Sequence, residues 1–181
     1  MSSATSADVL AFWRTAGPKK WFAKDAAFDA DISARFLATY ESAAAGKLAG
    51  WETTPDGALA LTIVLDQFPR NMFRHDARAF AADAAARAVA DRAIGRGFDQ
   101  RIASDERMFF YLPFEHSEDL ADQERCCALF RAMGNADLLY WAELHADIIR
   151  RFGRFPHRNA VLGRMTTPAE QAFLDDDGFK G

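Results

Sequence analysis

Apolar residues return every three or four positions along most of the chain, and almost nowhere do they alternate with polar ones. That period belongs to amphipathic helices, so the pattern predicts an all-α protein. Phe28, Ile32, Phe36 and Tyr40 make one such stripe. Residues suited to helix ends punctuate the pattern. Ser6 or Asp8 can cap a first helix running to Trp13, and Gly17-Pro18 closes it. Asp25 opens a second, to about Ala45, and Thr54-Pro55 a third with Leu61, Val64, Leu65 and Phe68 toward the core. Pro69 is expected to end that helix, because proline lacks the amide hydrogen that a helix interior needs. A helix from Ala82 to Arg96 closes at Gly97, and another from Ser104 to Leu112 stops at Pro113.

The next two predicted helices belong together. Ser117 can cap one that runs through Met133; Gly134 then makes the turn and Asn135 caps a second through Phe152. So short a link makes neighbours antiparallel, which predicts an αα-hairpin with His145 level with Gln123 and Arg150 level with Glu118. Its open end brings unlike stretches together. EHSEDLADQE, residues 115–124, has five acidic residues and no Lys or Arg, whereas HADIIRRFGRFPHRNAVLGR, residues 145–164, has five Arg and one Asp. Arginines with carboxylates so near can be buried where they would otherwise stay in water.

Composition narrows the class. With 181 residues, half of them hydrophobic and 13% aromatic, the chain has ample core material for a single helical domain, residues 1–181, with its core from about 8 to 174. A net charge of −4 and a pI near 5.6 offer no general attraction to phosphate polymers, so no nucleic-acid partner is expected. MSSATSADVLAFW has no basic leader followed by an apolar run, and no segment reaches the roughly 18 apolar residues of a membrane span. A cytoplasmic protein without a membrane partner is expected. Cys126 and Cys127 are adjacent, a spacing that strains a disulfide and fits no zinc motif, so both are expected to be reduced.

Candidate chemistry gathers near three prolines. Pro69, Pro113 and Pro156 each stand just ahead of polar residues: Arg70-Asn71, then Glu115-His116 one residue on, and His157-Arg158-Asn159. If each proline turned the chain, the three corners could aim these groups into one pocket. Phe68-Pro69-Arg70-Asn71 is also echoed by Phe155-Pro156-His157-Arg158-Asn159 with one insertion. Arg70, Arg154 and Arg158, with Asn71, Glu118 and Asn159, are the expected ligand-binding residues, since guanidinium groups clamp carboxylates and phosphates in bidentate fashion. His116, His145 and His157 beside Asp119 are the candidates for moving a proton. No metal site is expected: these histidines and acids form no H-x-x-x-H or H-E-x-x-H pair, and nearby arginines repel cations. No cofactor motif occurs, and no G-x-S-x-G marks a nucleophile.

WFAKDAAFDADISARF at 21–36, LDQFPRNMFR at 65–74, YLPFEHSEDLADQE at 111–124 and FGRFPHRNAVLGR at 152–164 resemble, in order and spacing, four blocks of the bacterial family catalogued as domain of unknown function 924. The likeness runs from about residue 8 to 174. It implies an all-helical fold similar to tetratricopeptide-repeat proteins, with antiparallel helix pairs in an irregular right-handed superhelix, and it brings no established activity. No tidy repeat of about 34 residues is visible in the chain itself. Two functions fit the residues: binding of an anionic small molecule, with acid–base chemistry on it, or recognition of an acidic peptide segment along a helical groove. Oligomeric state is left open.

Overall fold

The computed structural model describes residues 3–176, 178 and 179, and every regular element among them is a helix. The chain divides into two compact units: Met1–Arg74 with Arg78–Pro113, and His75–Ala77 with Phe114–Gly181.

Unit 1 is organised around one long, buried helix. α1 (Ser6–Ala16), α2 (Pro18–Trp21), α3 (Ala26–Ala44), α4 (Pro55–Met72) and α5 (Asp83–Gly95) follow in order, and α6 (Met108–Glu115) begins here. α4 is buried from Gly57 through Pro69, including the polar Thr62, Asp66 and Gln67, and α1, α3 and α5 pack around it. The stripe Phe28, Ile32, Phe36 and Tyr40 on α3 is buried as its period requires. Trp13, Trp21, Phe68 and Phe109 close an aromatic cluster, in which Trp13 stacks on Trp21 at 6.0 Å between ring centroids. Each such side chain, fully buried, contributes about 1.5–3 kcal/mol through lost water contact.

Unit 2 contains α7 (Leu120–Met133), α8 (Ala136–Phe152) and α9 (Pro168–Asp175). α7 and α8 pack against one another as the expected hairpin. Gly134 adopts the left-handed conformation, with φ 74°, that lets so short a turn close, and Asn135 caps α8 by accepting from the Leu138 amide. Cys126 and Cys127 are buried free thiols. No helix among the described residues is long and apolar enough to cross a membrane.

Four local expectations are corrected. Thr5 rather than Ser6 or Asp8 caps α1, because Thr5 and Asp8 bond reciprocally as a capping box. Asp119 rather than Ser117 caps α7 by accepting from the Ala121 amide; Ser117 instead accepts from the Asp119 amide and donates to Asp122. Pro69 and Pro113 do not turn the chain, since both lie inside helices, in the final stretches of α4 and α6. Proline there forfeits one hydrogen bond, and burial of Phe68 and Asn71 on either side of Pro69 favours continuation. Arg70 also donates to the Asp66 carbonyl from its side chain, at 2.6 Å, within the same turns. Of the three expected corners only Pro156 makes one, opening the 3-10 turn Pro156–Arg158.

Candidate functional site

The polar residues of unit 2 are arranged around that turn. α8 ends at Gly153, in a left-handed conformation, and the chain swings through Phe155 to Pro156–Arg158 and on to Arg164. Glu118 fastens the segment: it accepts from the Phe155 amide at 2.8 Å and from both terminal nitrogens of Arg164 at 2.7 and 3.0 Å. Arg164 in turn donates to the Asn159 side-chain oxygen and the Phe155 carbonyl. Burial disfavours the Glu118 carboxylate, but the bonds from Arg164 and Phe155 outweigh it and hold the pKa below the ordinary value. Arg150, expected level with Glu118, is exposed. Glu118 stands ahead of α7, so counting along two straight helices misplaces it.

Arg158 is 7% exposed, donates to the His116 carbonyl at 3.0 Å and lies 4.5 Å over the Phe155 ring. Two histidines share this environment. His145 Nδ1 lies 2.8 Å from the Trp141 carbonyl, which can only accept, so Nδ1 carries the hydrogen; Glu115 is also within 3.4 Å. Burial, together with the charges of His116 and Arg158, pushes the His145 pKa down to about 4. His157 is pushed down to about 3, chiefly by burial and then by the neighbouring Arg158. Both rings are therefore neutral near pH 7. The His157 Nδ1 is buried and has no hydrogen-bond partner among the described residues. Both imidazoles meet Phe155, and both meet Phe179, with centroids 4.5 Å from His145 and 5.3 Å from His157.

The remaining candidates have other partners. Arg154 binds Glu170 through two bonds of 2.6 and 2.8 Å, which hold the Glu170 carboxyl at about 2, and it reaches the Met165 carbonyl. Asp119 is exposed at its cap position. Arg70 and Asn71 lie in unit 1, where Arg70 holds Asp83 through bonds of 3.0 and 3.1 Å and pairs with Asp66, and Asn71 donates to Asp29. His116, Glu118, His145, His157, Arg158 and Asn159 thus form the linked group within unit 2. No set of three His, Cys, Asp or Glu side chains among the described residues is placed to hold a metal ion.

The sequence from residue 9 to 178 matches the family model described as bacterial protein of unknown function, DUF924. The chain belongs to this family. A solved structure, the protein of unknown function ATU0120 from Agrobacterium tumefaciens, is similar to this DUF924 chain at 50% identity and a TM-score of 0.92, over 94% of this chain and 97% of that one. Curated proteins give no match. The helical fold is therefore that of a family without an assigned activity.

Sequence reasoning about this DUF924 chain gave Glu115, at its expected corner, no role and missed three further residues of the site. Arg164 sits inside the basic block, but nothing in its spacing marks it as the partner of Glu118. Glu115 adjoins His116, and its approach to His145 depends on how α6 leads into the segment before α7. Trp141 and Phe179 are apolar in type and carry no motif; only their position beside His145 draws them in.

Proposed function

We propose that unit 2 binds an anionic small molecule, a carboxylate or a phosphate, at the turn Pro156–Arg158, with Arg158 supplying the charge and His157 a hydrogen bond. The observation that carries this reading is the buried Nδ1 of His157 with no partner among the described residues. A buried polar nitrogen left in that state costs about 1–3 kcal/mol, which a ligand oxygen accepting from it recovers. The cations beside it, Arg158 and Arg164, favour an anion as that ligand. Histidines held neutral well below pH 7 are poor proton carriers in the free protein. The arrangement therefore favours binding, with His145 and His157 able to act on a proton only after an anion has raised their pKa values.

Differential scanning of the full chain with inorganic phosphate and succinate tests this. At a ligand concentration about 100 times Kd the stabilisation is expected to be about 2.7 kcal/mol. Arg158→Met should abolish the anion-dependent shift. Arg131→Met removes a solvent-exposed pair with Glu143 and should leave the shift intact. A wild type indifferent to both anions, or an Arg158→Met protein that keeps the full response, would sink the reading.

A further inference from the structure

Phe179 does more than cover the two histidines. Its ring is held by Trp141 at 6.5 Å, His145 at 4.5 Å and His157 at 5.3 Å, and the two imidazoles meet it edge to face, at interplanar angles of 66° and 80°. This is a seat for a flat aromatic ring. The chain reaches it by a reversal after α9: the Gly178 amide donates to the Phe173 carbonyl at 3.0 Å, and a Cβ at position 178 would stand 2.2 Å from that same oxygen. Only glycine passes so close. Phe179 remains partly exposed, and Trp141 on one side of the seat is 47% exposed, so the ring can be reached from solvent. Next to the seat stands Phe155, the floor beneath Arg158, packed 5.6 Å from each histidine.

We infer that the ligand of this site is an aryl-substituted carboxylate, whose ring displaces Phe179 from the seat while its carboxylate meets Arg158 and His157. The inference rests on the anion-binding reading and adds the ring. Phe179 then serves as a stand-in that keeps the seat filled when no ligand is bound. A ligand lacking the ring leaves Phe179 in place and gains only the charge interaction. A ligand with the ring exchanges one set of edge-to-face contacts for another and is tethered by its carboxylate.

The experiment compares 3-phenylpropanoate, propanoate and inorganic phosphate on the full chain by calorimetry, with imidazole and ring NMR signals followed in parallel. For the wild type, 3-phenylpropanoate should bind about tenfold more tightly than propanoate, and the Phe179 ring signals should move toward solvent-exposed values as it binds. Phe179→Ala removes the competitor and should tighten 3-phenylpropanoate about fivefold or more while leaving propanoate and phosphate unchanged. Gly178→Ala, which forces the chain off Phe173 with the phenylalanine retained, should act in the same direction. Equal affinities for 3-phenylpropanoate and propanoate, with both lost in Arg158→Met, would overturn the aryl seat and leave the anion site standing. Tightening in Phe179→Ala that persists in the Phe179→Ala, Arg158→Met double variant would mean a ring merely filling a gap, and also overturns the inference. If none of the three probes binds the wild type or Phe179→Ala, both readings fall.

Discussion

Phe68-Pro69-Arg70-Asn71 in unit 1 and Phe155-Pro156-His157-Arg158-Asn159 in unit 2 differ by one inserted histidine, yet the structure uses them differently. In α4 the arginine lies one turn from Asp66 and faces Asp83 on α5, so its charge is matched by two carboxylates. In unit 2 the proline opens a 3-10 turn, and Arg158 is placed against a backbone carbonyl and an aromatic face. The neighbouring carboxylate, Glu118, bonds to Arg164. A buried arginine thus has two distinct meanings here. Where the local helix supplies acids at the right spacing it knits elements together; on the turn, Arg158 lies over an aromatic ring beside two imidazoles held neutral, and it is the charge on which the proposed anion site draws.

That contrast can be broken most forcefully in unit 1. Arg70→Met removes the cation that pairs with the buried Asp66 and Asp83 and should cost about 3–5 kcal/mol in urea unfolding, with part of the loss recovered by adding Asp83→Asn. A loss under about 1 kcal/mol would mean that the network is not structural. The histidines of unit 2 give the next effect. Their ordinary pKa is 6.5 and their folded values are about 4 for His145 and about 3 for His157, so the unfolded chain takes up protons that the folded one refuses. Their contribution is complete above pH 6.5 and is lost as pH falls toward 4 for His145 and toward 3 for His157, at about 1.4 kcal/mol per histidine for each pH unit within those windows. His157→Phe should flatten that slope in stability curves collected across the window. Glu118→Gln weakens the clamp on Arg164 and the Phe155 amide and should cost about 1–2 kcal/mol, measurable as a lower denaturant midpoint. Arg158→Met is read by ligand response rather than by stability: the anion-dependent shift in melting temperature should be lost.

The helical class and most element boundaries were legible because they depend on local chemistry: period, caps and the Gly134 turn all act within a few residues. Asn135, Asp25 and Thr54 cap as their types suggest. Thr5 could have been found as well, since Thr5 with Asp8 three places on is a capping-box pattern. Pro69 and Pro113 misled for a physical reason. A proline's local preference to end a helix is worth a few kcal/mol, and packing on both sides of it can exceed that. The site was less legible than the fold. Glu118 and Arg164, 46 residues apart, meet through the course of an irregular loop, and no periodicity specifies such a path. The contribution of Phe179 depends on a chain reversal at Gly178 that reads in sequence as a bare glycine after a run of aspartates.

The placement of the tryptophans makes the protein its own optical reporter. Trp13 and Trp21 are buried and stacked on one another in unit 1, where an external quencher such as iodide cannot reach them. Trp141 is half exposed and touches the ring of Phe179 beside His145. Fluorescence from the accessible fraction, selected by excitation at the red edge of the absorption band, therefore carries a component from the edge of the candidate site, distinct from the shielded emission of the unit 1 pair. A ligand entering the proposed seat should therefore change the colour and quenching of that component in the native chain, without a dye or a label.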